Sequence, residues 1–372
     1  MRIQNGLVFH KEHGFQREDM ELEEGIIKGI SSDLRTTKEQ EILDASGCYV
    51  IPGLVDVHFH GCAGHDFCEG TQEAIQAIEQ YELHHGITTI CPATMTLPEK
   101  RLTEICRTAA AYGGNCLKGI HLEGPFLSEA KKGAQNAAYL HAPDAGMVRR
   151  LMEASGDLVR LVSIAPELPG AMECIAECTS LVRFSVAHTQ ADYETALHAM
   201  QLGAMHVTHL YNAMLPFTHR APGVIGAAFD SGADVELICD GIHIDPCVVR
   251  ATFRLFTEEH VVLVSDSMMA TGMADGAYEL GGQPVDVRGN RATLADGTIA
   301  GSATNLYDCM VTAIRMGIDP AVAVRAATYN PAKSVGLEHV CGSICEEMPA
   351  DLLIVDRDWK LKHVIKGGER IA

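Results

Sequence analysis

The chain has 372 residues, of which 47% are apolar and 21% are charged, a composition typical of a globular protein. Its formal net charge of −20 argues against nucleic acid as a partner, because phosphate is bound by a basic surface. The apolar runs are too short to cross a membrane, and residues 1–14 lack the apolar stretch of a secretion signal.

The thirteen cysteines are scattered along the chain and include no CxxC pair. This distribution indicates reduced thiols rather than a disulfide framework, so we expect a cytoplasmic protein. The eighteen histidines are the more informative excess, because imidazole is a common metal ligand.

Residues 1–49 contain short strand and turn patterns with little sign of a helix. From residue 50 onward, short apolar strands alternate with amphipathic helical segments. The candidate strands are YVIPGLVDVHFHG, GITTICPATMT, LKGIHLEGPF, VRLVSIAPE, RFSVAHTQA, AMHVTHLYNAM, DVELICDGIHI and HVVLVSDSM. Eight such units predict an α/β fold, a (β/α)8 TIM barrel over residues 50–339. A doubly wound parallel sheet is the structural alternative.

Helical patterns lie between these strands. One of them, DYETALHAMQLGA, begins with Asp192 as a predicted N-cap and ends at Gly203. The segment 277–302, after the eighth strand, has the pattern of an inserted hairpin. Residues 340–372 again show strands and turns, and neither terminal segment could bury a core alone. We therefore expect residues 1–49 and 340–372 to pair in a small β-sandwich domain beside the barrel.

Polar side chains stand where the predicted strands end, although a buried strand would ordinarily finish in Leu or Val. They are His58, His60, Glu123, His188, His209, His243 and Asp266. The carboxyl ends of barrel strands converge on one mouth, where the catalytic groups of this fold lie. In the motif H-x-H, His58 and His60 point to the same face because side chains alternate along a strand.

Imidazole and carboxylate side chains without a thiolate suit a divalent metal, most simply Zn²⁺, with Fe²⁺ or Mn²⁺ as alternatives. We expect Glu123, His188 and His209 to bind the main ion, and His58 and His60 to bind a second one. One carboxylate could bridge both ions, so the sequence leaves open whether one or two ions bind.

Three neighbouring residues carry a weaker expectation. Cys62 and His65 follow the H-x-H motif closely and could reach the site. His206 lies three residues before His209, and it should therefore point to the opposite face of its strand.

Asp266 has a different predicted role. A metal lowers the pKa of a water that it binds, and an adjacent carboxylate can accept the proton and pass it to a leaving amine. An acid at the end of the eighth strand fits this shuttle. We predict that Asp266 acts first as general base and then as general acid.

The motifs HLEGPF, AHT, THLYNAM, DGIHID, SDSM and GSATN, together with H-x-H, resemble those of the N-acetylglucosamine-6-phosphate deacetylases of the amidohydrolase superfamily. The resemblance runs through almost the whole chain. It implies hydrolysis of the 2-acetamido group of a small phosphorylated amino sugar, N-acetylglucosamine 6-phosphate, to glucosamine 6-phosphate and acetate. It also implies the metal and catalytic roles given above, with one ion in some members and two in others.

The resemblance implies a set of substrate-binding residues as well. They are Ala134, Gln135, Asn212, Ala213, Arg220, His243, Ile299, Ala300 and Gly301. Asn212 and Ala213 would lie near the sugar phosphate, and Arg220 would reach the phosphate across the interface of a homodimer. Many members carry a histidine where this chain has Gln135, whose amide N–H could polarise the acetyl carbonyl instead.

Three alternatives stay open. The substrate could be N-acetylgalactosamine 6-phosphate, which differs only at the C4 hydroxyl, or another amide, as in a dihydroorotase-like hydrolase. A dihydroorotase-like site usually bridges its metals through a carbamylated lysine, where this chain has Glu123. The third alternative is a metal-binding barrel without catalysis, against which Asp266 beside an open coordination position argues.

Overall fold

The computed structural model describes residues 1–32, 34 and 41–371. These residues form twenty-three strands. The strands are, in chain order, β1 (Arg2–His10), β2 (Gly14–Glu23), β3 (Ile26–Ser31), β4 (Ile42–Asp44), β5 (Tyr49–Pro52), β6 (Leu54–Asp56), β7 (Gly61–Cys62), β8 (His65–Asp66), β9 (Ile87–Ile90), β10 (Ala93–Thr94), β11 (Ile120–Phe126), β12 (Val159–Ile164), β13 (Arg183–Val186), β14 (His206–Val207), β15 (Asp234–Ile238), β16 (Val261–Val264), β17 (Gly276–Leu280), β18 (Gln283–Arg288), β19 (Arg291–Thr293), β20 (Ile299–Ser302), β21 (Leu352–Val355), β22 (Leu361–Lys366) and β23 (Glu369–Arg370).

The same residues form eleven α-helices and three short 3₁₀ turns. The helices are α1 (Gln72–His84), α2 (Glu99–Tyr112), α3 (Ala145–Ser155), α4 (Ala171–Cys178), α5 (Tyr193–Gln201), α6 (Gly223–Ser231), α7 (Pro246–Leu255), α8 (Thr257–His260), α9 (Leu306–Arg315), α10 (Pro320–Ala327) and α11 (Tyr329–Ser334). The 3₁₀ turns are Phe67–Glu69, Glu129–Lys131 and Ala137–Tyr139. Each helix in the described residues is too short or too polar to span a lipid bilayer.

Local chemistry sets the starts of several helices. The predicted N-cap Asp192 accepts a hydrogen bond from the backbone N–H of Thr195, which satisfies one of the free donors of the first turn of α5. The helix ends at Gln201, two residues before the predicted Gly203. Thr, Asp or Asn side chains cap α1, α3, α7, α9 and α10 in the same way.

The middle of the chain is a closed parallel barrel. Strands β10 to β16 pair side by side in sequence order, and β6 pairs in parallel with β9, which precedes β10 directly. The backbone N–H of Asp266 donates to the carbonyl of His58 (2.9 Å), and that of His60 donates to the carbonyl of Ser267 (2.7 Å), so the last strand meets the first. The predicted (β/α)8 barrel is confirmed, and this closure excludes the doubly wound sheet.

Both ends of the chain form one further sheet, in the order β23-β22-β21-β5-β1-β2-β3, with β4 also paired to β1. Alternate residues of this sheet face different cores. Val8 and Leu352 belong to a buried cluster within the terminal domain, whereas their neighbours Phe9 and Leu353 pack with the barrel and its helices. The small β-domain expected from the two termini is therefore present, with a shared apolar boundary to the barrel. Its predicted limits at residues 49 and 340 stay predictions.

The inserted segment after the eighth barrel strand is larger than a hairpin. Strands β17 to β20 form a four-stranded antiparallel sheet. Leu280 and Ala300 from this sheet pack with Met95 and Met268 of the barrel, so the insertion lies over one side of the barrel mouth. It thereby places residues 299–301 beside the polar strand ends.

The single tryptophan offers a test of how the terminal domain is coupled to the barrel. Trp359 stacks on Tyr49, with ring centroids 4.9 Å apart and ring planes at 12°, so its fluorescence reports on the terminal sheet. Because Phe9 and Leu353 share a core with the barrel, we expect one cooperative transition. In urea, tryptophan fluorescence and far-ultraviolet circular dichroism should change at the same midpoint. A fluorescence change at lower urea would show that the sheet detaches first.

Candidate metal centre and active site

The barrel brings its polar strand ends together at one mouth. His58 and His60 follow β6, Glu123 lies within β11, and His188 and His209 follow β13 and β14. Asp266 follows β16 and His243 follows β15. All seven side chains therefore stand at the carboxyl ends of barrel strands, the end where this fold carries its catalytic groups.

Three of these side chains form a tight triangle. Glu123 Oε1 lies 3.1 Å from His188 Nε2 and 3.1 Å from His209 Nε2, and the two nitrogens lie 3.1 Å from each other. All three residues are buried. Ligands about 2.0–2.1 Å from one tetrahedral ion are separated by about 3.3 Å, so this triangle has the size of a face of a metal site.

The outer hydrogen bond of His188 determines which of its ring nitrogens faces the triangle. Its Nδ1 lies 2.7 Å from the backbone carbonyl oxygen of Lys131. A carbonyl only accepts, so Nδ1 carries the proton and Nε2 presents its lone pair towards Glu123. Metal-binding histidines commonly have such an outer partner, which fixes the ring and its tautomer.

A second group adjoins the triangle. Asp266 Oδ1 lies 3.5 Å from His60 Nε2 and 3.7 Å from His58 Nε2. Glu123 stands between the two groups, because its Oε2 is 3.2 Å from His60 Nε2 and its Oε1 is 3.5 Å from His58 Nε2. The four predicted histidine ligands thus converge on the Glu123 carboxylate, and the predicted proton shuttle Asp266 adjoins two of them.

The charges of the site compensate each other. Burial acts to raise the pKa of Glu123, but the charge of His58 and the hydrogen bonds of His188 and His209 hold that pKa well below its ordinary value. Burial also opposes ionisation of Asp266, whose pKa the hydrogen bond of His60 and the charge of His58 nevertheless lower. Buried carboxylates that stay negative favour a positive charge among them, which is the condition that a divalent cation meets.

The donor set therefore fits a metal. It consists of imidazole nitrogens and carboxylate oxygens, and no cysteine of the described residues lines the cavity beside them. Such donors suit Zn²⁺, Fe²⁺ or Mn²⁺. Three clusters of the described residues have the spacing of metal ligands. They are Glu123, His188 and His209; His58, His60 and Asp266; and, deeper in the barrel, His58, His121 and Glu236.

The backbone at these positions is unusual. His188, His209 and Asp266 have φ values of +43°, +30° and +48°, in the left-handed region that residues with a Cβ rarely adopt. Such strain tends to occur at functional sites, where the surrounding structure enforces it. Each of the three bends the chain just after a barrel strand, which turns its side chain towards the mouth.

The mouth opens into a cavity of about 380 Å³. Most of the predicted site residues line it. They are His60, Glu123, Ala134, Gln135, His188, His209, Asn212, Ala213, His243, Asp266, Ile299, Ala300 and Gly301. His58 lies beneath this wall and is fully buried.

Gln135 does not have a free amide in this arrangement. Its Nε2 donates to Glu123 Oε2 at 2.7 Å, and its Oε1 accepts a hydrogen bond from the backbone N–H of Thr96 at 2.6 Å. The Thr96 donor fixes which end of the amide faces Glu123. The predicted contact of Gln135 with an acetyl oxygen therefore requires its second N–H or a shift, and it stays a prediction.

His243 is held by a carboxylate. Its Nδ1 donates to Asp240 Oδ2 at 2.7 Å, while Asp240 Oδ1 accepts the backbone N–H of His243 at 2.9 Å. Burial acts to lower the pKa of His243, but the hydrogen bond and the charge of Asp240 raise it above its ordinary value. Asp240 thus fixes the orientation of the ring on the cavity wall and favours its cationic form, which suits an anionic group of a ligand.

Arg220 lies apart from the other predicted residues. Its side chain is exposed and lines a separate depression together with Tyr193 and Leu215. Within one chain it does not reach the cavity. Its predicted role across a dimer interface stays a prediction.

Cys62 and His65 do not line the cavity. The Cys62 thiol lies 3.8 Å from the carbonyl oxygen of Ile78, on the side of helix α1. His65 is half-exposed and pairs with Glu69 at 3.3 Å. Both therefore have local structural partners instead of a contact with the polar cluster.

Two residues near the centre were not recognised as parts of the site in the sequence. Glu236 on β15 is fully buried and bonds to His58, although the sequence shows the same anomaly there as at Glu123, a carboxylate inside an apolar strand. The prediction for His206 was wrong, because its Nε2 lies 3.8 Å from Glu236 Oε1 in the barrel interior. Strand β14 ends at Val207, so strand alternation does not relate His206 to His209.

The comparisons with known proteins agree with this architecture. Residues 49–371 match the amidohydrolase family, and the chain belongs to that family. It is therefore a metal-dependent hydrolase that acts on an amide bond.

Within the amidohydrolase family, the chain is similar to deacetylases of phosphorylated amino sugars. The chain is 33% identical over 361 residues to the N-acetylglucosamine-6-phosphate deacetylase of Bacillus subtilis, with 91% of this chain and 89% of that protein covered. It is 30% identical to the N-acetylgalactosamine-6-phosphate deacetylase of Escherichia coli O157:H7, with 84% of this chain and 85% of that protein covered. The chain is also similar to a solved structure of the N-acetyl-D-glucosamine-6-phosphate deacetylase of Mycobacterium smegmatis, an aspartate-to-alanine mutant in complex with N-acetyl-D-glucosamine-6-phosphate. The TM-score is 0.94 and the sequence identity 31%, and the match covers 100% of this chain and 98% of that chain.

Glu82, a buried carboxyl group on α1, predicts that the stability of the protein depends on pH. Burial, with a contribution from the charge of Asp56, raises the pKa of Glu82 from 4.5 to about 8. Between these values the unfolded chain loses this proton while the folded chain keeps it, so the free energy of unfolding should fall as pH rises. Glu82→Gln should reduce this fall, which urea unfolding at pH 5 and pH 8 would measure.

The exposed Glu73 on the same helix provides the control, because Glu73→Gln should leave the pH profile of the wild type unchanged. Burial also raises the pKa of Asp56, to about 7, so a smaller fall should persist in Glu82→Gln. Parallel profiles of the wild type and Glu82→Gln would contradict the assignment.

Proposed function

We propose that this protein hydrolyses the 2-acetamido group of N-acetylglucosamine 6-phosphate, giving glucosamine 6-phosphate and acetate. The observation that carries the proposal is the convergence of Glu123, His188 and His209 with Asp266 on the wall of one cavity. The proteins named above, which share about a third of its residues, act on this substrate or on its galacto epimer.

The metal residues have defined tasks in this proposal. Glu123, His188 and His209 would hold the main ion, most simply Zn²⁺, and His58 with His60 would hold a second. When bound, a divalent ion supplies Lewis acidity at the acetyl carbonyl and lowers the pKa of the attacking water. Zinc as the native metal and the number of ions are parts of the proposal.

Asp266 moves the proton. Its carboxylate stays ionised beside His60 and His58, so it can accept the proton of the attacking water. It then returns this proton to the sugar nitrogen as the C–N bond breaks. Asp266 lines the cavity wall, so its carboxylate can meet both the attacking water and the sugar nitrogen.

The cavity wall would bind the sugar phosphate. We assign the phosphate to Asn212, Ala213 and His243, since Asp240 holds His243 on the cavity wall and favours its cationic form. The backbone of residues 299–301 and Ala134 would line the sugar ring. Binding energy from a phosphate remote from the reacting amide helps to orient the amide for attack.

Arg220 would complete the phosphate site of a second subunit in a homodimer. Its exposed side chain stands on a surface that also exposes Phe217, an apolar residue that is 54% accessible. An arginine and an exposed aromatic ring are residues enriched at protein interfaces. The dimer and the cytoplasmic location of the protein are both part of the proposal.

The second candidate is deacetylation of N-acetylgalactosamine 6-phosphate. The similarity to the Escherichia coli protein of that name favours it. The two sugars differ only at C4, and the same metal residues and the same Asp266 would serve both.

The first test measures acetate release by the zinc-loaded protein from three sugars. They are N-acetylglucosamine 6-phosphate, unphosphorylated N-acetylglucosamine and N-acetylgalactosamine 6-phosphate. Release mainly from the phosphorylated gluco sugar is expected. Release mainly from the galacto epimer would favour the second candidate. No release from any of them would reject both deacetylase proposals and leave a barrel for another amide or for metal alone.

Arg220→Ala is the matched variant within this test. It should raise KM for the phosphorylated sugar far more than it lowers kcat, because its contact is with a group that does not react. KM for the unphosphorylated sugar should not change. Equal effects on both sugars would contradict a role for Arg220 in phosphate binding.

Asp266→Asn should lower kcat by about 10²–10⁴-fold, because the amide cannot accept the proton, and that range is typical of general acid–base catalysis. Metal analysis of the same preparation should still find the ion bound by Glu123, His188 and His209. Asp286→Asn, on the exposed face of β18, is the control and should keep wild-type turnover. Near-normal turnover of Asp266→Asn would remove the shuttle from the mechanism.

A further inference from the structure

Glu236 is a buried carboxylate that the proposed mechanism does not use. It lies in β15, is fully buried, and belongs to the barrel interior beneath the mouth. A charged side chain in such a place is costly unless it is paired and hydrogen-bonded. Its partners therefore indicate what it does.

One oxygen of Glu236 bonds to two candidate metal ligands. Oε2 accepts a hydrogen bond from His58 Nδ1 at 2.7 Å and a second from the backbone N–H of His209 at 3.0 Å. The other oxygen, Oε1, has no hydrogen-bond donor among the described residues. Both bonds of this carboxylate are thus directed at residues of the metal centre.

The first bond determines which ring nitrogen of His58 carries the proton. Because a carboxylate oxygen accepts at Nδ1, the proton of the neutral ring lies on Nδ1 and the lone pair lies on Nε2. Nε2 faces Glu123 Oε1 at 3.5 Å and Asp266 Oδ1 at 3.7 Å. Without Glu236, the neutral ring could take the other tautomer, which would present an N–H to the site.

The second bond holds the bend that carries His209. Strand β14 ends at Val207, and His209 follows with a φ of +30°, a backbone conformation that needs support from its surroundings. Glu236 provides this support from the neighbouring strand β15. A single carboxylate oxygen therefore ties the ligand after the first barrel strand to the ligand after the sixth.

We propose that Glu236 is a positioning residue of the metal centre, which holds His58 in its metal-binding tautomer and fixes the backbone of His209. The inference deepens the proposed function, because it assigns a further residue to the same site. It concerns metal binding, however, and its test does not depend on which amide is hydrolysed.

The test compares Glu236→Val with Glu236→Gln. Valine removes both hydrogen bonds. The amide oxygen of glutamine can take the place of Oε2 and accept both, while its NH₂ group faces His206 Nε2, an unpartnered nitrogen 3.8 Å from Oε1. Glu82→Gln is the matched control, since it changes another fully buried carboxyl group that lies on α1 and not in the metal cluster.

The experiment measures the dissociation constant of bound Zn²⁺ by competition with a chelator. Where the wild type retains two ions, the constant of the more weakly bound ion is compared. Loss of an outer partner of a metal-binding histidine typically costs about 10–100-fold in metal affinity. We expect that loss in Glu236→Val, and values within a few-fold of the wild type in Glu236→Gln and Glu82→Gln. Wild-type affinity in Glu236→Val, or equal losses in both Glu236 variants, would overturn the proposal.

A second measurement covers the case in which Glu236→Val does not fold. In the zinc-loaded wild type, proton NMR should show a hydrogen-bonded Nδ1–H of His58, which His58→Asn removes. Absence of this ring proton would overturn the proposal. Absence of acetate release from a protein that passes both metal tests would reject the proposed substrate and leave the role of Glu236 standing.

Discussion

A carboxylate buried at the end of a barrel strand is the constraint around which the mouth of this protein is built. Glu123 is only 2% exposed, and an isolated negative charge there would be strongly destabilising. Its two oxygens are compensated on all sides, by His188 and His209 at one oxygen and by His60 and Gln135 at the other. Removing any of these partners would leave part of this buried charge uncompensated.

The sequence was sufficient for the barrel, which follows from a periodic pattern, and for much of the site, which follows from the barrel. The shared direction of barrel strands brings residues as distant as His58 and Asp266 together. His58 and His60 both lie beside Asp266, although β6 ends at Asp56 and strand alternation no longer fixes their faces. Contacts between loops have no such periodicity. The bond from Thr96 to Gln135, which turns the amide towards Glu123, could not be read from either segment alone.

Two failures have instructive physical causes. The orientation of His206 was wrong because alternation holds only while the strand continues, and β14 ends at Val207. Glu236 was overlooked although it breaks an apolar strand just as Glu123 does, because the predicted strand DVELICDGIHI continues well past it. Glu236 reaches the site from below, through His58 and the backbone of His209, and that geometry emerges only when the strands are closed into a barrel.

The terminal sheet has a consequence for how the chain folds as it is synthesised. Strand β5 pairs with β21, so that Pro52 lies opposite Leu352, a residue that is synthesised only after the whole barrel segment. Until that segment leaves the ribosome, β5 presents an unpaired edge and Phe9 lacks the apolar neighbours that Leu353 and Val355 provide. The terminal sheet can therefore be completed only after the barrel segment has been synthesised, and until then the nascent chain carries an exposed strand edge.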